Sequence, residues 1–584
     1  MKLFIQYVAL SSFAILASCG GSSTSVEDGG VSKRVANADK LVEAAALCGN
    51  PAPTGNLTPI CTTVVSADGH EPPCNPHLAQ NAWSASHRNN FAQASSPLPG
   101  VTSPDQVNID HTSISAAPIV INFSERDSAR RQAVWASTVG PTGEVVKIDA
   151  DTLLPIARFL PEGGGTLSTS GAYNMLDRDQ HLIVGRSGAL QVFGDAVPGD
   201  RHSGIVQLAN LNLPAKARCG TREDALVGIT MLPDGHVAFA TKFGMVGVLP
   251  RQPEAMCAET LQVFSLNGDE ACNDASISDS DLEEVSNSIS ADESSAIYVV
   301  TSDAQYRINW DGQQLSQEWR SSYEGAGASG SGRLGGGSGA TPSLMGSPGD
   351  RDRFVVITDG QPLMHLVLMW KDAIPTDWQP IKPGRDRRIA CEMPVNFGNE
   401  SATESLSEQS VLVRGYASVI VNNLMKLNSL LSLLPGQMQP FTQLLSGLSI
   451  NRPSGMQRID WDPISRTCKN IWVNSTISIP NGIPTMSAES GQVFGIGSRT
   501  VNGLDTWTLE AVDFATGKSS FSIPSTAYPT DNSFYAGTTI GPDNSVWTGT
   551  FGGMTRFQNC TKNKTCGRRV LNPISHIPLS SLVP

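Results

Sequence analysis

The sequence predicts an all-β protein: a single large β-propeller of eight blades, or seven if two repeating units share one blade, with one helical insertion. Three observations carry this. Gly (55) and Pro (37) are plentiful and only 16% of the residues are charged, against about 25% in an average soluble chain, which is a turn-rich composition. A strand–turn–strand pattern recurs along the chain at a spacing of roughly 40 to 60 residues, the repeat length of four-stranded propeller blades. Length alone would imply about four domains at roughly 150 residues each, whereas repetition over 584 residues argues for one closed unit.

The elements follow in chain order. Residues 1–18 read as a lipoprotein signal peptide. Met1-Lys2 is basic, and Leu3 to Ala14 is an apolar run too short for a final membrane span. Leu16-Ala17-Ser18-Cys19 resembles the bacterial lipobox, which implies lipidation of the Cys19 thiol. Gly20 to Ser25 opens a flexible tether over residues 19–50. Gly20 in place of an acidic residue favours the outer membrane. The expected location is therefore the cell envelope, held to a membrane through an N-terminal lipid.

Residues 51–114 read as a disulfide-containing lead-in. Within it, Trp83 and Phe91 are suited to plug a ring or pack below it, and His87, Arg88 and Asn89 form a candidate polar site beside the plainer reading of a lead-in strand. Ten cysteines follow Cys19, an even number that suits up to five disulfides in an exported chain. Short loops favour Cys61–Cys74, Cys257–Cys272 and Cys560–Cys566. CxxC and CxxCH spacings are absent from the sequence, which removes support for zinc ribbons, thioredoxin chemistry and covalent haem. A net charge of −13 excludes the basic footprint that nucleic acid requires.

The propeller is expected over 115–584. Its eight units are centred on 133–152, 175–193, 231–249, 288–308, 354–370, 411–423 with 455–462, 486–497 with 511–521, and 540–557. Each pairs short apolar runs of period two with Asp- or Gly-containing turns. Stacked radially, blades cover one another's faces, and the ring closes when strands from both chain ends share a blade.

"AVDFATGKSSF" (Ala511–Phe521) joins two strands through a tight turn. Asp513 can accept backbone N–H groups, Gly517 supplies a positive φ, Lys518 completes the turn, and Phe521 offers an apolar ring to a neighbouring blade. The stretch resembles the repeat of quinoprotein-alcohol-dehydrogenase-like propellers, with Phe521 where Trp is usual, and 146–152 is a looser copy. The resemblance implies the scaffold and, in the dehydrogenases, pyrroloquinoline quinone with Ca²⁺ at the ring axis. Many of those enzymes stack a Cys-Cys disulfide on the quinone, and this chain has no adjacent cysteines, so the quinone is not expected. In anchor and repeat type the chain also resembles the propeller lipoprotein of the outer-membrane β-barrel assembly machine, although it is considerably longer.

Other candidate chemistry is sparse. Asp279, Asp281 and Glu283 alternate in "NDASISDSDLEE", a spacing that can supply oxygen ligands to Ca²⁺ but lacks the EF-hand Gly and distal Glu; a solvated acidic loop is the alternative. The Gly-rich run 325–343 lacks the Lys of a phosphate-binding loop. His236 and His365 lie in strand-like runs, where a satisfied structural histidine is expected. In 424–450, Leu424, Leu427, Leu431 and Leu434 fall at helical spacing before Pro435-Gly436. This reads as a helical hairpin that either caps the ring or offers an apolar surface to an envelope partner, a lipid or a hydrophobic ligand. The functional expectation is a binding or assembly module. The alternative is an exported propeller enzyme, a hydrolase or lyase on a hydrophobic substrate or a quinone-dependent dehydrogenase, with its site at the axial mouth.

Overall fold

In the computed structural model the apolar runs become eight sheets, six of four strands and two of five, one for each repeating unit of the sequence. The structure describes residues 66–79, 89–114, 117–139, 143–161, 171–325, 335–431, 440–560 and 566–571. Cys19, Cys61, Trp83, His87, Arg88, Leu434 and the tether lie outside them, so the expectations placed there are not addressed.

Blade 1 spans 117–159, blade 2 174–212, blade 3 226–265, blade 4 290–322, blade 5 343–394, blade 6 412–474, blade 7 485–524 and blade 8 538–559. The first strand of each blade lies nearest the axis. Fourth strands face outward, as the exposed residues of Leu315–Ser322 and Thr467–Asn474 show. Blade 8 takes its fourth strand, Val107–Ser113, from the N-terminal side, antiparallel to Gly553–Asn559; Arg568–Leu571 adds in parallel outside it. The ring therefore closes with strands from both chain ends, and the closing strand comes from within the segment read as lead-in.

Period-two apolarity has a direct packing consequence. Side chains on opposite faces of each blade meet those of two neighbours, and each blade–blade contact has its own buried cluster. Between blades 5 and 6, Phe354, Trp370 and Trp461 stack with centroids 4.7 to 5.7 Å apart, beyond whose area burial such contacts add about 0.5–1.5 kcal/mol per pair. Buried ion pairs also cross blade boundaries: Lys147 to Asp195 at 2.6 Å, Arg251 to Asp177 at 2.6 Å and Lys371 to Asp292 at 3.1 Å.

Disulfides reinforce the same joints. Cys391 and Cys468, on the outer strands of blades 5 and 6, are bonded to each other. Cys560–Cys566 ties the last blade strand to the chain returning beside it, as the short loop suggested. The Cys257–Cys272 expectation is corrected: Cys272 bonds Cys219. Cys219 precedes the first strand of blade 3 and Cys272 follows its last, so the meander brings together two residues that sequence distance separates. Cys74 and Cys257 are disulfide-bonded as well.

The turn at 513–518 is architectural. Asp513 accepts from the Thr516 N–H (2.8 Å) and hydroxyl (2.6 Å), and the Gly517 N–H donates to the Asp513 carbonyl (2.8 Å). Gly517 has φ +72° and lies against the Trp472 indole, leaving no room for a Cβ. Phe521 joins the cluster between blades 7 and 8. Among the described residues, no helix is long and apolar enough to cross a membrane.

Candidate functional site

The two ends of the ring axis are built differently. At one end, the described lead-in residues run beside the first strands and bond to one blade after another. Ala291 N–H donates to the Asn90 carbonyl (2.8 Å), Leu344 N–H to Phe91 (2.9 Å), Val413 N–H to Gln93 (2.9 Å) and Met486 N–H to Ala94 (2.9 Å). These bonds reach blades 4, 5, 6 and 7 in turn. Residues 75–79 do the same for blades 2 and 3, with Ala79 N–H on the Leu176 carbonyl and the Asn75 amide on that of Met231. Ala92 and Ala94 take positive φ, 52° and 54°, which curls the segment around the axis at about 1–2 kcal/mol per residue. Asn89 is buried, its Oδ1 accepting from the Phe91 N–H at 2.8 Å. It serves this lead-in.

The opposite end, where first strands begin, is lined by polar side chains. Tyr173, Asn287, Glu408 and Tyr535 stand shortly before the first strands of blades 2, 4, 6 and 8. The Tyr173 hydroxyl donates to Asn287 Oδ1 at 3.1 Å, across the start of blade 3. Glu408 is buried, and its carboxylate packs on Gly339 from blade 5's approach, where an added Cβ would displace it. Its N–H donates to Asn423 Oδ1 (2.9 Å). The Tyr535 hydroxyl and the Gln443 amide are buried side by side and interact with each other. Burial, with the Glu408 carboxylate acting in the same direction, pushes both phenols well above their ordinary value. They stay neutral donors at any physiological pH.

The insertion covers this end. It sits between the second and third strands of blade 6 as a helical turn, Asn428–Leu431, and a 3-10 turn, Pro440–Leu445. The Asn481 amide donates to the Gln443 carbonyl (3.2 Å), the Ser446 hydroxyl (3.0 Å) and Asn532 Oδ1 (2.6 Å), pinning the insertion to blades 7 and 8. Met425 and Leu431 are buried, Leu424 and Leu427 are half-buried, and Leu444 packs toward Phe534 and Tyr535. Of the two expectations for this segment, Met425, Leu431 and Leu444 agree with the one in which it caps the ring, while Leu424 and Leu427 keep part of their surface exposed.

The acidic trio is not gathered into one ligand set. Asp279 accepts from Arg222 Nε (2.8 Å), Asp281 from the Ser278 hydroxyl (2.6 Å), and Glu283 from Arg320 Nη2 (2.7 Å). Among the described residues, Asp359, His365 and Glu392 do bring three ligand atoms within 4.8 Å. Arg385 already holds Glu392 through two bonds of 2.7 and 2.8 Å, however, and Lys382 lies 3.6 Å from it. His365 Nδ1 is 2.7 Å from Asp359 and His236 Nδ1 is 2.9 Å from Asp234, both satisfied structural histidines.

Sequence reasoning missed the axial set. Its members share no motif, only a place a few residues ahead of a first strand, and that place is visible once the eight blades are in register.

No family model matches the sequence. The chain is 42% identical over 528 residues to an uncharacterized protein of Archaeoglobus fulgidus, an alignment covering 90% of this chain and 94% of the relative. Similar solved structures include the quinohemoprotein alcohol dehydrogenase of Comamonas testosteroni (12% identity, 83% of this chain and 82% of that one, TM-score 0.49). They also include the Dos1 propeller (8%, 81% and 97%, 0.43) and BamB from Moraxella catarrhalis (11%, 65% and 93%, 0.35). Similarities at this level do not bear on activity.

Proposed function

The chain belongs to the family of that Archaeoglobus fulgidus protein, which aligns with 90% of it, and on this premise we propose that the ring is a binding module taking a ligand at the loop end of its axis. One observation carries the reading. Lead-in bonds run along blades 2 to 7 at the far end of the axis, whereas the loop end gathers the buried Glu408 carboxylate, the phenols of Tyr173 and Tyr535 and the Gln443 amide at one mouth. Convergent polar side chains at the mouth of a ring are the setting in which small ligands are held and oriented. One carboxylate, two neutral phenols and an amide suit a small polar ligand that is neutral or cationic and rich in hydrogen-bonding groups.

The protein would work in the cell envelope, tethered through lipid on Cys19, with the blades as a rigid frame. A second reading draws on the same residues. A buried carboxylate beside two phenols is also an acid–base arrangement, and an exported enzyme would release its ligand chemically changed.

Native mass spectrometry on protein from its own host, as wild type and as Glu408→Gln, tests the proposal. A small adduct on the wild type that is depleted in the variant supports binding at this end. An adduct retained equally by both places the ligand elsewhere and overturns the reading. Radiolabelled fatty acid incorporation that is lost in Cys19→Ala tests the anchor separately.

A further inference from the structure

Arg186 closes the second strand of blade 2, Leu182–Arg186, at the loop end. It is 7% exposed. Buried cations are kept in proteins when a carboxylate or comparable acceptor compensates them, and this chain obeys that rule elsewhere. Among the described residues the other buried cations are Lys147, Arg201, Arg251, Arg307, Lys371, Arg414 and Arg556, and each lies within 4.0 Å of an Asp or Glu. Arg186 is in no such pair. Of its five N–H donors, one is bonded, Nη2 to the Ser137 hydroxyl at 2.5 Å, while buried Nε has no acceptor.

The surroundings are shaped for close approach. The guanidinium lies against Gly143, from a turn of blade 1, and Gly171, just ahead of blade 2; both have positive φ, and neither position has room for a Cβ beside the guanidinium. Immediately above, Ser187 and Gly188 form an exposed turn. In a chain of net charge −13, this buried guanidinium has no carboxylate partner among the described residues. Burial lowers its pKa from 12.5 to about 10.

We propose that Arg186, with Ser137, is the receptor for an oxyanion, a carboxylate or phosphate group of a ligand entering between blades 1 and 2 at the loop end. A guanidinium binds such groups through paired, charge-assisted N–H donors. Ser137 can turn its hydroxyl proton toward the anion while accepting from Nη2. The inference rests on the unpaired cation and is independent of the axial reading.

The test is thermal unfolding and calorimetric titration of the full chain with inorganic phosphate and, separately, acetate, at constant ionic strength set with chloride. The wild type is expected to be stabilised saturably by one of them, and which one identifies the class. Arg186→Met should fold without added anion at least as well as wild type, because it removes an uncompensated buried charge. It should also raise the dissociation constant by on the order of tenfold or more. Ser137→Ala supplies the decision if Arg186→Met fails to fold, with a weaker but measurable loss of affinity. Responses to phosphate and acetate that match chloride, or that persist unchanged in these variants, overturn the proposal.

Discussion

His77 shows how single residues fix this ring to its N-terminal segment. Burial first, then Arg251 and Arg178, lower its pKa from 6.5 to about 4. Between those values the unfolded chain binds more protons than the folded one, so this contribution to stability is complete above about pH 6.5 and is lost as pH falls toward 4. Hydrogen exchange should therefore show residues 75–79 loosening on acidification in that window, and His77→Gln should remove the response. His365 behaves oppositely. Its bond to Asp359 raises its pKa, so its contribution is full below 6.5 and fades as pH rises through the raised value. Gly517 is a third case, constrained by both a positive φ and the Trp472 ring. Gly517→Ala should cost about 1–3 kcal/mol in urea unfolding. The Asp–Gly pattern made that turn legible in the sequence. Nothing local marked Glu408, Tyr535 or Arg186, since their significance comes from what the ring places around them.

At the scale of elements, eight strand pairs were readable because a blade buries both faces, and period-two apolar runs between Gly and Asp turns report that directly. The insertion was readable as an interruption, and its position between two strands of blade 6 agrees with the structure. Its orientation was not readable, because a leucine stripe has the same spacing whether it faces solvent or the ring. Disulfide pairing divided along similar lines. Cys560–Cys566 follows from a short loop, whereas Cys219–Cys272 and Cys391–Cys468 depend on which strands end side by side. Cys391–Cys468 joins the rims of blades 5 and 6. The double variant Cys391→Ser/Cys468→Ser should lose about 2–4 kcal/mol, read as a lower midpoint in thermal unfolding under non-reducing conditions.

For the whole molecule, closure is the decisive property. Val107–Ser113 completes blade 8 beside Gly553–Asn559, so a chain lacking 107–113 would expose the edge of the last blade. Such a deletion should abolish a single cooperative unfolding transition and bring aggregation, as monitored by circular dichroism and light scattering. A closed ring has two axial mouths, and the described lead-in residues line the blades at one of them. The polar groups facing the other are where the functional account rests. The most direct measurement is a high-resolution crystal structure of protein purified from its own host. Non-protein density between Tyr173, Glu408 and Tyr535, bonded to the Tyr535 hydroxyl and the Gln443 amide, is the predicted result. A loop end with no non-protein density and no space between Tyr173, Glu408 and Tyr535 would contradict it.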